Sequence, residues 1–413
     1  MSLELSTFEV KPSSINKEIK VPSSKSYANR LLILAAIDKD PVVIRNIPLS
    51  SDVIKMVECL KIIGLDIKVK DDSIEVKNSF PECEQVTSEA VCLETGDGGT
   101  TNRFILPLLA RGKNRYILIP EGHMRVRPMS PLVDALKQLG CELEYSVDPS
   151  QEWITVKGPI HVKKEVEVDC SESTQFITGL SLATVDKEIT VKPYRLEVSL
   201  PYWRLTLHLL ESYRKKELDY INPVDFSSLT YPLALAAVNG KVLVKNAKEV
   251  DIYQADSKFI QCLKDMGAEI SFGPEGLFCK SRELAAIEFD GSQCPDAIPT
   301  LLYLCSFAKG KSRIYNLEVL THKECDRFSE MIRILEAFGV SFEVNYNDFE
   351  IMIVGKSAKS HFVEFTPEKD HRMVMVSYLF MRSLAGGILH NSEHVKKSFA
   401  NFFEVMSSPN ELS

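Results

Sequence analysis

Charged side chains recur in this sequence where helix-period segments begin. The densest group spans residues 321–327, in which polar or ionisable residues surround one cysteine. Asp370-His371-Arg372 directly precedes a very apolar segment, and Lys396-Lys397 precedes Ser398-Phe399. Free N–H groups and the helix dipole attract anions at a helix start, and cations there strengthen such a site. These segments therefore predict phosphate or carboxylate binding, although each one alone is also typical of a solvated turn.

Two segments in the first quarter of the chain have the same character. Lys25 and Ser26 follow a Pro-Ser-Ser turn and lead into a helix that carries Arg30. Farther on, Gly96, Gly98 and Gly99 precede a second helix, and glycines let backbone approach a ligand closely. The glycine segment lacks the Gly-Lys-Ser/Thr end of a P-loop and the spacing of a dinucleotide fingerprint. The glycine segment alone is also typical of an ordinary tight turn.

Three further helix starts carry polar residues that capping alone explains equally well. Arg125-Val126-Arg127-Pro128-Met129 and Ser173-Thr174-Gln175 each open a helical segment, and Asp296 lies between a proline and a helix. The shared feature of all these segments is their position at helix starts. Such an arrangement predicts a site lined by several anion-binding helix ends.

A repeat positions these helix starts along the chain. Four helix-period segments end at Gly64, Gly140, Gly267 and Gly339, where a left-handed residue would stop the helix. Each is followed by two alternating stretches separated by a turn, which predicts a β-hairpin. The spacing is 76 residues for the first pair and 72 for the second. A degenerate copy places Arg214 at the glycine position, and the register breaks between it and Gly267.

Other segments complete an alternating order of helices and strands. The helix-period segments are residues 27–37, 100–110, 174–184, 231–238, 297–307 and 373–384. The short strands that follow several of them are residues 42–46, 115–120, 188–191 and 241–244. Alternation of this kind predicts an α/β protein.

Composition limits the class of protein. A chain of 413 residues is too long for one hydrophobic core, so we expect two domains. The net charge of −8 argues against a nucleic-acid binder but leaves room for small anionic substrates. The ten cysteines are scattered, which predicts reduced, mostly buried thiols. Neither a signal peptide nor a membrane span is evident, so we expect a soluble cytoplasmic protein.

The ordered set of segments resembles the EPSP synthase family of enolpyruvyl transferases. Residues 22–30 resemble the family's P-G-S-K-S-x-S-N-R, residues 97–103 its N-A-G-T-x-x-R, and residues 125–136 its R-x-R-P-I-x-x-L-V-D-A-L. Further matches, in order, are to S-S-Q-F at 173–176, S-x-P-Y at 199–202, D-A-S-S at 225–228, P-D-A at 295–297, K-E-S-D-R at 323–327, D-H-R-M at 370–373 and K-S-F at 397–399. The series covers nearly the whole chain.

The resemblance implies a fold and a domain organisation. Members have two similar domains, each of three βαβαββ units in an inside-out barrel-like arrangement, with the active site in the interdomain cleft. Here the first domain would combine residues 1–22 and 226–413, and the second would be residues 23–225. The break in the repeat fits the crossover between the domains, near Asp225.

The resemblance also implies an activity. Family members transfer the enolpyruvyl group of phosphoenolpyruvate to the 5-hydroxyl of shikimate 3-phosphate, without metal or organic cofactor. We therefore expect these two small-molecule partners, no nucleic acid or membrane partner, and a monomer. Two alternatives stay open: enolpyruvyl transfer to another acceptor such as UDP-N-acetylglucosamine, and a non-catalytic paralogue that binds a phosphorylated metabolite.

Individual roles follow from the same resemblance, position by position. The residues implied in catalysis are Asp296, Glu324, Lys25 and His371. The residues implied in binding shikimate 3-phosphate are Lys25, Ser26, Arg30, Ser173, Thr174, Gln175, Ser199, Tyr202, Asp296 and Lys323. The residues implied in binding phosphoenolpyruvate are Lys25, Gly99, Arg125, Gln175, Arg327, Arg372 and Lys397.

The sequence departs from the family pattern at several positions. Ser23 and Asp97 replace a glycine and an asparagine, and Val319 aligns with a phosphate-binding asparagine. His123 aligns with an arginine that binds the carboxylate of phosphoenolpyruvate. If the segment is extended, residues two apart point to the same side, so we expect Arg125 to take that role. The alternative is that His123 binds the carboxylate as a cation at lower pH.

Overall fold

The computed structural model describes residues 6–148, 150–161, 165–196 and 199–407. The chain divides into two compact units. Unit 1 combines the two ends of the chain, Met1–Pro22 and Val224–Ser413, and unit 2 is the middle, Ser23–Pro223. The domain boundaries expected from the sequence stay a prediction, and the second of them falls two residues after this division.

Short strands make up the β structure of both units. The strands are β1 (Thr7–Val10), β2 (Ile15–Ile19), β3 (Val42–Arg45), β4 (Ile67–Lys70), β5 (Ser73–Val76), β6 (Val91–Gly96), β7 (Arg115–Pro120), β8 (Glu142–Tyr145), β9 (Ile154–Lys157), β10 (Glu165–Asp169), β11 (Thr190–Tyr194), β12 (Gly240–Val244), β13 (Glu269–Gly273), β14 (Gly276–Lys280), β15 (Glu288–Asp290), β16 (Lys311–Tyr315), β17 (Ser341–Asn345), β18 (Glu350–Val354), β19 (Val363–Phe365) and β20 (Gly387–His390).

Helices alternate with these strands along the chain. The α-helices are α1 (Lys25–Ile37), α2 (Ser51–Ile62), α3 (Gly99–Leu109), α4 (Ser130–Gln138), α5 (Gln175–Ala183), α6 (Leu200–Arg214), α7 (Phe226–Val238), α8 (Lys258–Asp265), α9 (Ile298–Phe307), α10 (Arg327–Ala337), α11 (His371–Ser383) and α12 (Phe402–Met406). This alternation confirms the α/β class. None of the described helices combines the length and hydropathy that crossing a membrane requires.

The repeated unit is most complete in two places. The order β6-α3-β7-α4-β8-β9 in unit 2 recurs as β15-α9-β16-α10-β17-β18 in unit 1. In both, the first two strands pair in parallel across a helical crossover, and an antiparallel hairpin joins the same sheet. Each copy is therefore one βαβαββ element, as the family resemblance implies.

Strands remote in sequence complete the other copies. The N-terminal strand β2 pairs in parallel with β12, and β1 pairs with β20. In unit 2, Arg45 of β3 forms a parallel bridge with Ile221, next to the point where the chain leaves the unit. These pairings explain why unit 1 needs both ends of the chain.

One helix from each copy lies at the centre of each unit. Helices α1, α3 and α5 contact one another in unit 2, and α7, α9 and α11 do so in unit 1. These six helices are buried over most of their length, whereas α2 and α10 keep a polar exposed side. A helix that is apolar all round must be buried, which explains the inside-out arrangement of central helices and outer sheets.

The glycine that ends each outer helix is a left-handed cap. Gly64, Gly140, Gly267 and Gly339 have φ values of 106°, 82°, 90° and 63°, and each lies two residues after its helix ends. The expectation for the degenerate copy is wrong by two residues: Arg214 is still helical, and Lys216 has the positive φ, 57°. Lys216 is 76 residues after Gly140, so the repeat keeps its spacing there.

The cysteines follow the expectation from their spacing. All ten are unpaired thiols, and seven of them are buried. Burial raises the pKa of the Cys59 and Cys262 thiols to about 12, so these side chains act as small apolar groups in the core.

Substitutions at two cap positions test the role of backbone conformation. We expect Gly64→Ala to lower the free energy of unfolding by about 1–2 kcal/mol or more. The alanine would have to keep a left-handed φ, and its Cβ would lie 2.8 Å from the Cys83 carbonyl oxygen. Lys216→Gly, at the corresponding position of the degenerate copy, should instead raise it by up to about 1 kcal/mol. Urea unfolding of both variants measures the difference. Equal effects would contradict the cap assignment.

Candidate functional site

A buried arginine organises the polar residues of unit 1. Arg327 is the first residue of α10, and its side chain is 1% exposed. Its Nε donates to Asp370 Oδ2 at 2.7 Å, its Nη1 to Asp296 Oδ1 at 2.9 Å, and its Nη2 to Glu324 Oε2 at 2.7 Å. Charge-assisted bonds of this length are stronger than neutral ones, so one guanidinium holds three carboxylates together.

The three carboxylates come from separate helix starts. Asp370 caps α11 and accepts a bond from the Arg372 amide at 2.8 Å. Asp296 lies in the short 3₁₀ helix Pro295–Ala297 before α9, and Glu324 lies just before α10. The side chains of Asp296 and Glu324 are 20% and 16% exposed, whereas that of Asp370 is fully buried. Asp296 and Glu324 therefore remain accessible to a ligand, and Asp370 does not.

Three further cations surround the same carboxylates. Arg372 Nη2 lies 3.0 Å from Asp296 Oδ2, and Lys323 Nζ lies 3.4 Å from Asp296 Oδ1. Lys397 Nζ lies 4.0 Å from Glu324 Oε1. Together with Arg327, four cations face three carboxylates. We call these seven residues the cation cluster: Asp296, Lys323, Glu324, Arg327, Asp370, Arg372 and Lys397.

This charge distribution shifts the pKa of two of its members, Asp296 and Arg327. Burial alone would raise the pKa of Asp296, but Arg372, Lys323 and Arg327 hold it well below its usual range. Burial alone would lower the pKa of Arg327, but Asp370, Glu324 and Asp296 raise it instead. His371 is 1% exposed, and its Nδ1 lies 3.4 Å from Asp370 Oδ1. The cluster includes six of the seven unit 1 residues to which the sequence assigns a role, and the seventh, His371, lies beside Asp370.

In unit 2, Lys25 begins α1 as the sequence predicts. Ser24 caps the helix through a bond from the Tyr27 amide, and Lys25 Nζ donates to Asp52 Oδ2 at 2.9 Å. Asp52 lies in the first turn of α2, and its side chain is 5% exposed. Sequence reasoning missed Asp52, although its position after two serines at a helix start is the same signal that singled out the other segments.

Arg30 is enclosed by protein rather than open to solvent. It is 2% exposed, and its three nitrogens donate to Ser26 O, Tyr202 O and Thr206 Oγ1. Burial lowers the pKa of Arg30 to about 10. Its role as a direct phosphate ligand stays a prediction, and this geometry favours positioning of Ser26 and Tyr202.

Gly99 begins α3 beside two polar side chains. A Cβ at Gly99 would lie 2.8 Å from Arg127 Nη1 and 3.0 Å from Gln175 Oε1. Gln175 Oε1 accepts a bond from Arg103 Nη1 at 2.8 Å. Arg127 is 8% exposed, and its Nε and Nη1 atoms have no hydrogen-bond partner among the described residues. A buried guanidinium with unmet donors beside a glycine helix start is suited to bind an anion.

Arg125 has a different environment from the one expected. Gly122–Val126 is a 3₁₀ helix, so the expectation of an extended segment is wrong, and residues 123 and 125 do not share a side. The Arg125 side chain is half-buried, and its guanidinium donates to the carbonyl oxygens of Val147, Asp148 and Gln151. These bonds hold the turn between β8 and β9, so the guanidinium of Arg125 is used within the protein, whereas Nε and Nη1 of Arg127 have no partner among the described residues.

The remaining expected ligands of unit 2 lie at the starts of α5 and α6. Ser173 Oγ accepts a bond from the Gln175 amide at 3.2 Å, and Thr174 Oγ1 donates to Ser199 O at 3.3 Å. Ser199 precedes α6 with a left-handed φ of 54°. Tyr202 lies in the first turn of α6. A non-glycine residue with a left-handed φ, such as Ser199, is held in that conformation by its surroundings, and such residues are frequent at functional sites.

The chain matches known proteins over nearly its whole length. The family model for EPSP synthase (3-phosphoshikimate 1-carboxyvinyltransferase) matches residues 10–406. A curated 3-phosphoshikimate 1-carboxyvinyltransferase from Serratia proteamaculans is 31% identical, with 97% of each chain covered. One of the same name from Buchnera aphidicola is 30% identical, with 96% of this chain and 97% of that protein covered.

Solved structures agree in fold. EPSP synthase from Acinetobacter baumannii superposes with a TM-score of 0.74 at 20% identity, over 97% of each chain. The enolpyruvyl transferase NikO from Streptomyces tendae gives 0.73 at 13% identity, over 97% of this chain and 96% of that one. Likeness at this identity supports the fold alone, and it agrees with the inside-out α/β arrangement of each unit.

The cation cluster predicts a large loss of folding stability when its buried acid, Asp370, is replaced by a neutral residue. We expect Asp370→Asn to lower the free energy of unfolding by about 3–5 kcal/mol, because the buried Arg327 loses the only one of its three charge partners that is itself fully buried. Asp326→Asn is the matched control, since Asp326 is an exposed cap of α10 and asparagine caps about as well as aspartate. Chemical denaturation measures both. A small loss for Asp370→Asn would show that Arg327 does not depend on this acid.

Proposed function

The chain belongs to the EPSP synthase family, and we propose that it transfers the enolpyruvyl group of phosphoenolpyruvate to the 5-hydroxyl of shikimate 3-phosphate. The products are 5-enolpyruvylshikimate 3-phosphate and inorganic phosphate. The observation that carries the mechanism is the pair Asp296 and Glu324, held on one buried arginine while both remain accessible. A protein that only bound a phosphorylated metabolite would need the cations but no such acid/base pair.

The reaction is an addition followed by an elimination. The 5-hydroxyl oxygen bonds to C2 of phosphoenolpyruvate and loses its proton to a base, while an acid adds a proton to C3. The tetrahedral intermediate then breaks its C2–O bond to phosphate, and C3 loses one proton as the double bond returns. Two groups that exchange protons at different atoms are therefore required.

We assign these roles to the two accessible carboxylates. Asp296 is ionised beside its cations, accepts the hydroxyl proton and passes it to the departing phosphate. Glu324 takes up a proton from solvent when the substrate anions bind, delivers it to C3 and removes one proton from C3 in the elimination. Substrate anions that bind Arg372 and Lys323 draw these cations away from Asp296, which makes Asp296 a stronger base when substrate is present. Lys25 assists with its charge, and His371, enclosed beside Asp370, orients that acid.

The remaining polar residues bind substrate in this proposal. Shikimate 3-phosphate contacts Lys25, Ser26, Ser173, Thr174, Gln175, Ser199, Tyr202 and Lys323, with Arg30 behind them. Phosphoenolpyruvate contacts Lys25, Gly99, Arg127, Gln175, Arg327, Arg372 and Lys397. Arg127 takes the place expected for Arg125, because its unmet donors need an anion whereas those of Arg125 are used by the turn.

The same proposal covers the state and location of the protein. We assign it to the cytoplasm as a monomer of two domains, residues 1–22 with 226–413 and residues 23–225. Ten unpaired thiols agree with a reducing compartment. Sedimentation of the purified chain tests the monomer.

Phosphate release tests the function. We expect the purified protein to release phosphate from phosphoenolpyruvate in the presence of shikimate 3-phosphate, and none when that acceptor is omitted or replaced by UDP-N-acetylglucosamine. Phosphate release with the sugar nucleotide, and none with shikimate 3-phosphate, would show that UDP-N-acetylglucosamine is the acceptor. Binding without release would indicate a non-catalytic paralogue.

The two carboxylates should be separable from binding. Asp296→Asn and Glu324→Gln should each reduce kcat by about 10²-fold or more, the scale of lost general acid/base catalysis. Asp290→Asn is the control, because this partly exposed acid caps a neighbouring turn outside the cluster. Turnover and calorimetric binding of shikimate 3-phosphate are measured for each variant. Near-normal turnover of either variant removes that residue from the mechanism.

Two arginines close in sequence should differ in effect. We expect Arg127→Ala to raise KM for phosphoenolpyruvate by about tenfold or more, the scale of a lost charged hydrogen bond. Arg125→Ala should leave KM within about twofold and lower the melting temperature slightly, since its bonds are to an exposed turn. The reverse result would return the ligand role to Arg125.

A further inference from the structure

Asp256 is a buried acid in unit 1 to which the mechanism above gives no part. It lies in the short 3₁₀ helix Ala255–Ser257 and is 2% exposed. The Ser227 hydroxyl donates to its Oδ2, and its Oδ1 is buried with no hydrogen-bond partner among the described residues. An unpaired carboxylate oxygen at such a depth is costly if the group is charged, so its position needs an explanation.

The surrounding bonds prevent Asp256 from turning to solvent. Gln254, two residues before Asp256, is also buried. Its Nε2 donates to Val224 O at 2.7 Å and to Asp251 Oδ2 at 2.8 Å, and its Oε1 accepts from the Phe226 amide at 3.0 Å. The short helix is thereby fastened to the start of α7. Asp256 is therefore held in place by the bonds of Gln254 and by its own bond from Ser227.

The fastened helix packs against the one that carries Asp296. Ala255–Ser257 contacts both α7 and the 3₁₀ helix Pro295–Ala297. The titratable and charged groups that face Asp256 are Asp225 at the start of α7, Cys294 and Asp296 at the start of α9, and Arg372 of α11. The next lysine in the chain, Lys258, donates to Gln293.

Burial, followed by repulsion from Asp296, raises the pKa of Asp256 to about 7. Attraction by Arg372 and the bond from Ser227 act in the opposite direction but do not cancel this. The cation cluster has four cations and three carboxylates. A neutral Asp256 leaves that excess positive charge intact, whereas an ionised Asp256 would cancel it.

We propose that Asp256 is a positioning residue for substrate anions, acting through Asp296 and Arg372. When Oδ1 carries a proton, Asp256 is neutral, and Arg372 interacts with Asp296 and with the incoming anion. Without that proton, it competes for Arg372 and weakens anion binding. The assignment rests on the proposed function for its substrate, phosphoenolpyruvate, and on the geometry of unit 1 for the anion site itself.

The proton on Asp256 also links stability to pH. In the unfolded chain an aspartate loses its proton near pH ~4, whereas in the folded chain Asp256 keeps it to about pH 7. Between these values the folded state binds more protons than the unfolded state, so its stability falls as pH rises and stays lower above the window. Asp256→Asn, which does not titrate, should therefore gain stability relative to the wild type between pH 5 and pH 8.

The test compares three variants with the wild type. Asp256→Asn keeps the shape of the neutral acid, and Asp265→Asn is the control, because Asp265 is an exposed acid at the end of α8 that bonds only Gln261 among the residues described. Ser227→Ala removes the bond that favours the charged form, so it should shift the transition to higher pH. The measurements are kcat and KM for phosphoenolpyruvate, and the rise in melting temperature with sulfate at constant ionic strength, from pH 6.5 to 8.5.

We expect KM of the wild type and of Asp265→Asn to rise about threefold or more over this range, with little change in kcat, the scale of one screened charge. In Asp256→Asn the KM should stay low. The ionisation of phosphoenolpyruvate itself affects the KM of all the proteins equally, so it does not contribute to the difference between them. Sulfate keeps a constant charge, so its stabilising effect should weaken with pH in the wild type and not in Asp256→Asn.

The outcomes distinguish the inference from the proposed function. A protein without turnover, but with the expected sulfate dependence, would reject the function and support Asp256. Normal turnover with the same pH dependence of KM and of sulfate binding in Asp256→Asn and the wild type would reject Asp256 alone. If Asp256→Asn does not fold, an unshifted transition in Ser227→Ala rejects the proposal by itself.

Discussion

Burial of Arg327 is the constraint on which the organisation of unit 1 depends. A guanidinium almost fully removed from water must satisfy its donors within the protein, because an unpaired buried charge costs several kcal/mol, roughly 3–5 when a partner is removed. Asp370, Asp296 and Glu324 meet that requirement. They come from three helix starts far apart in sequence, so satisfying one cation also aligns the helices that carry the site.

The repeat makes this convergence possible. Each βαβαββ copy contributes one apolar helix to the centre of its unit and begins that helix with a polar segment. Because the central helices pack against each other, their polar starts are brought close together within each unit. The capping glycines have a separate task, since they end the outer helices and direct the chain into its hairpin. Function and folding therefore use opposite helix ends.

The sequence was sufficient for features that depend on local pattern. The four glycine caps, the hairpins after them and the polar helix starts all follow from residue types at fixed spacing. The degenerate copy failed by two residues because no glycine marked the cap, and Lys216 adopts the left-handed conformation instead. The expectation of an extended segment at Arg125 was wrong, because a short 3₁₀ helix and an extended strand have no distinguishing periodicity over five residues. Our proposal of Arg127 in place of Arg125 rests on burial, and burial depends on the complete fold.

Asp256 shows why charge balance cannot be read along the chain. In the sequence it is one acid among many, and no neighbouring residue distinguishes it. In the fold, its depth and the contact between two short helices make its proton part of the same electrostatic balance as Asp296 and Arg372. In a cluster whose positive and negative charges nearly cancel, one additional charge changes the net charge by a large fraction. The affinity of the cluster for an anion therefore changes strongly. Residues outside direct ligand contact can therefore set the affinity of the site.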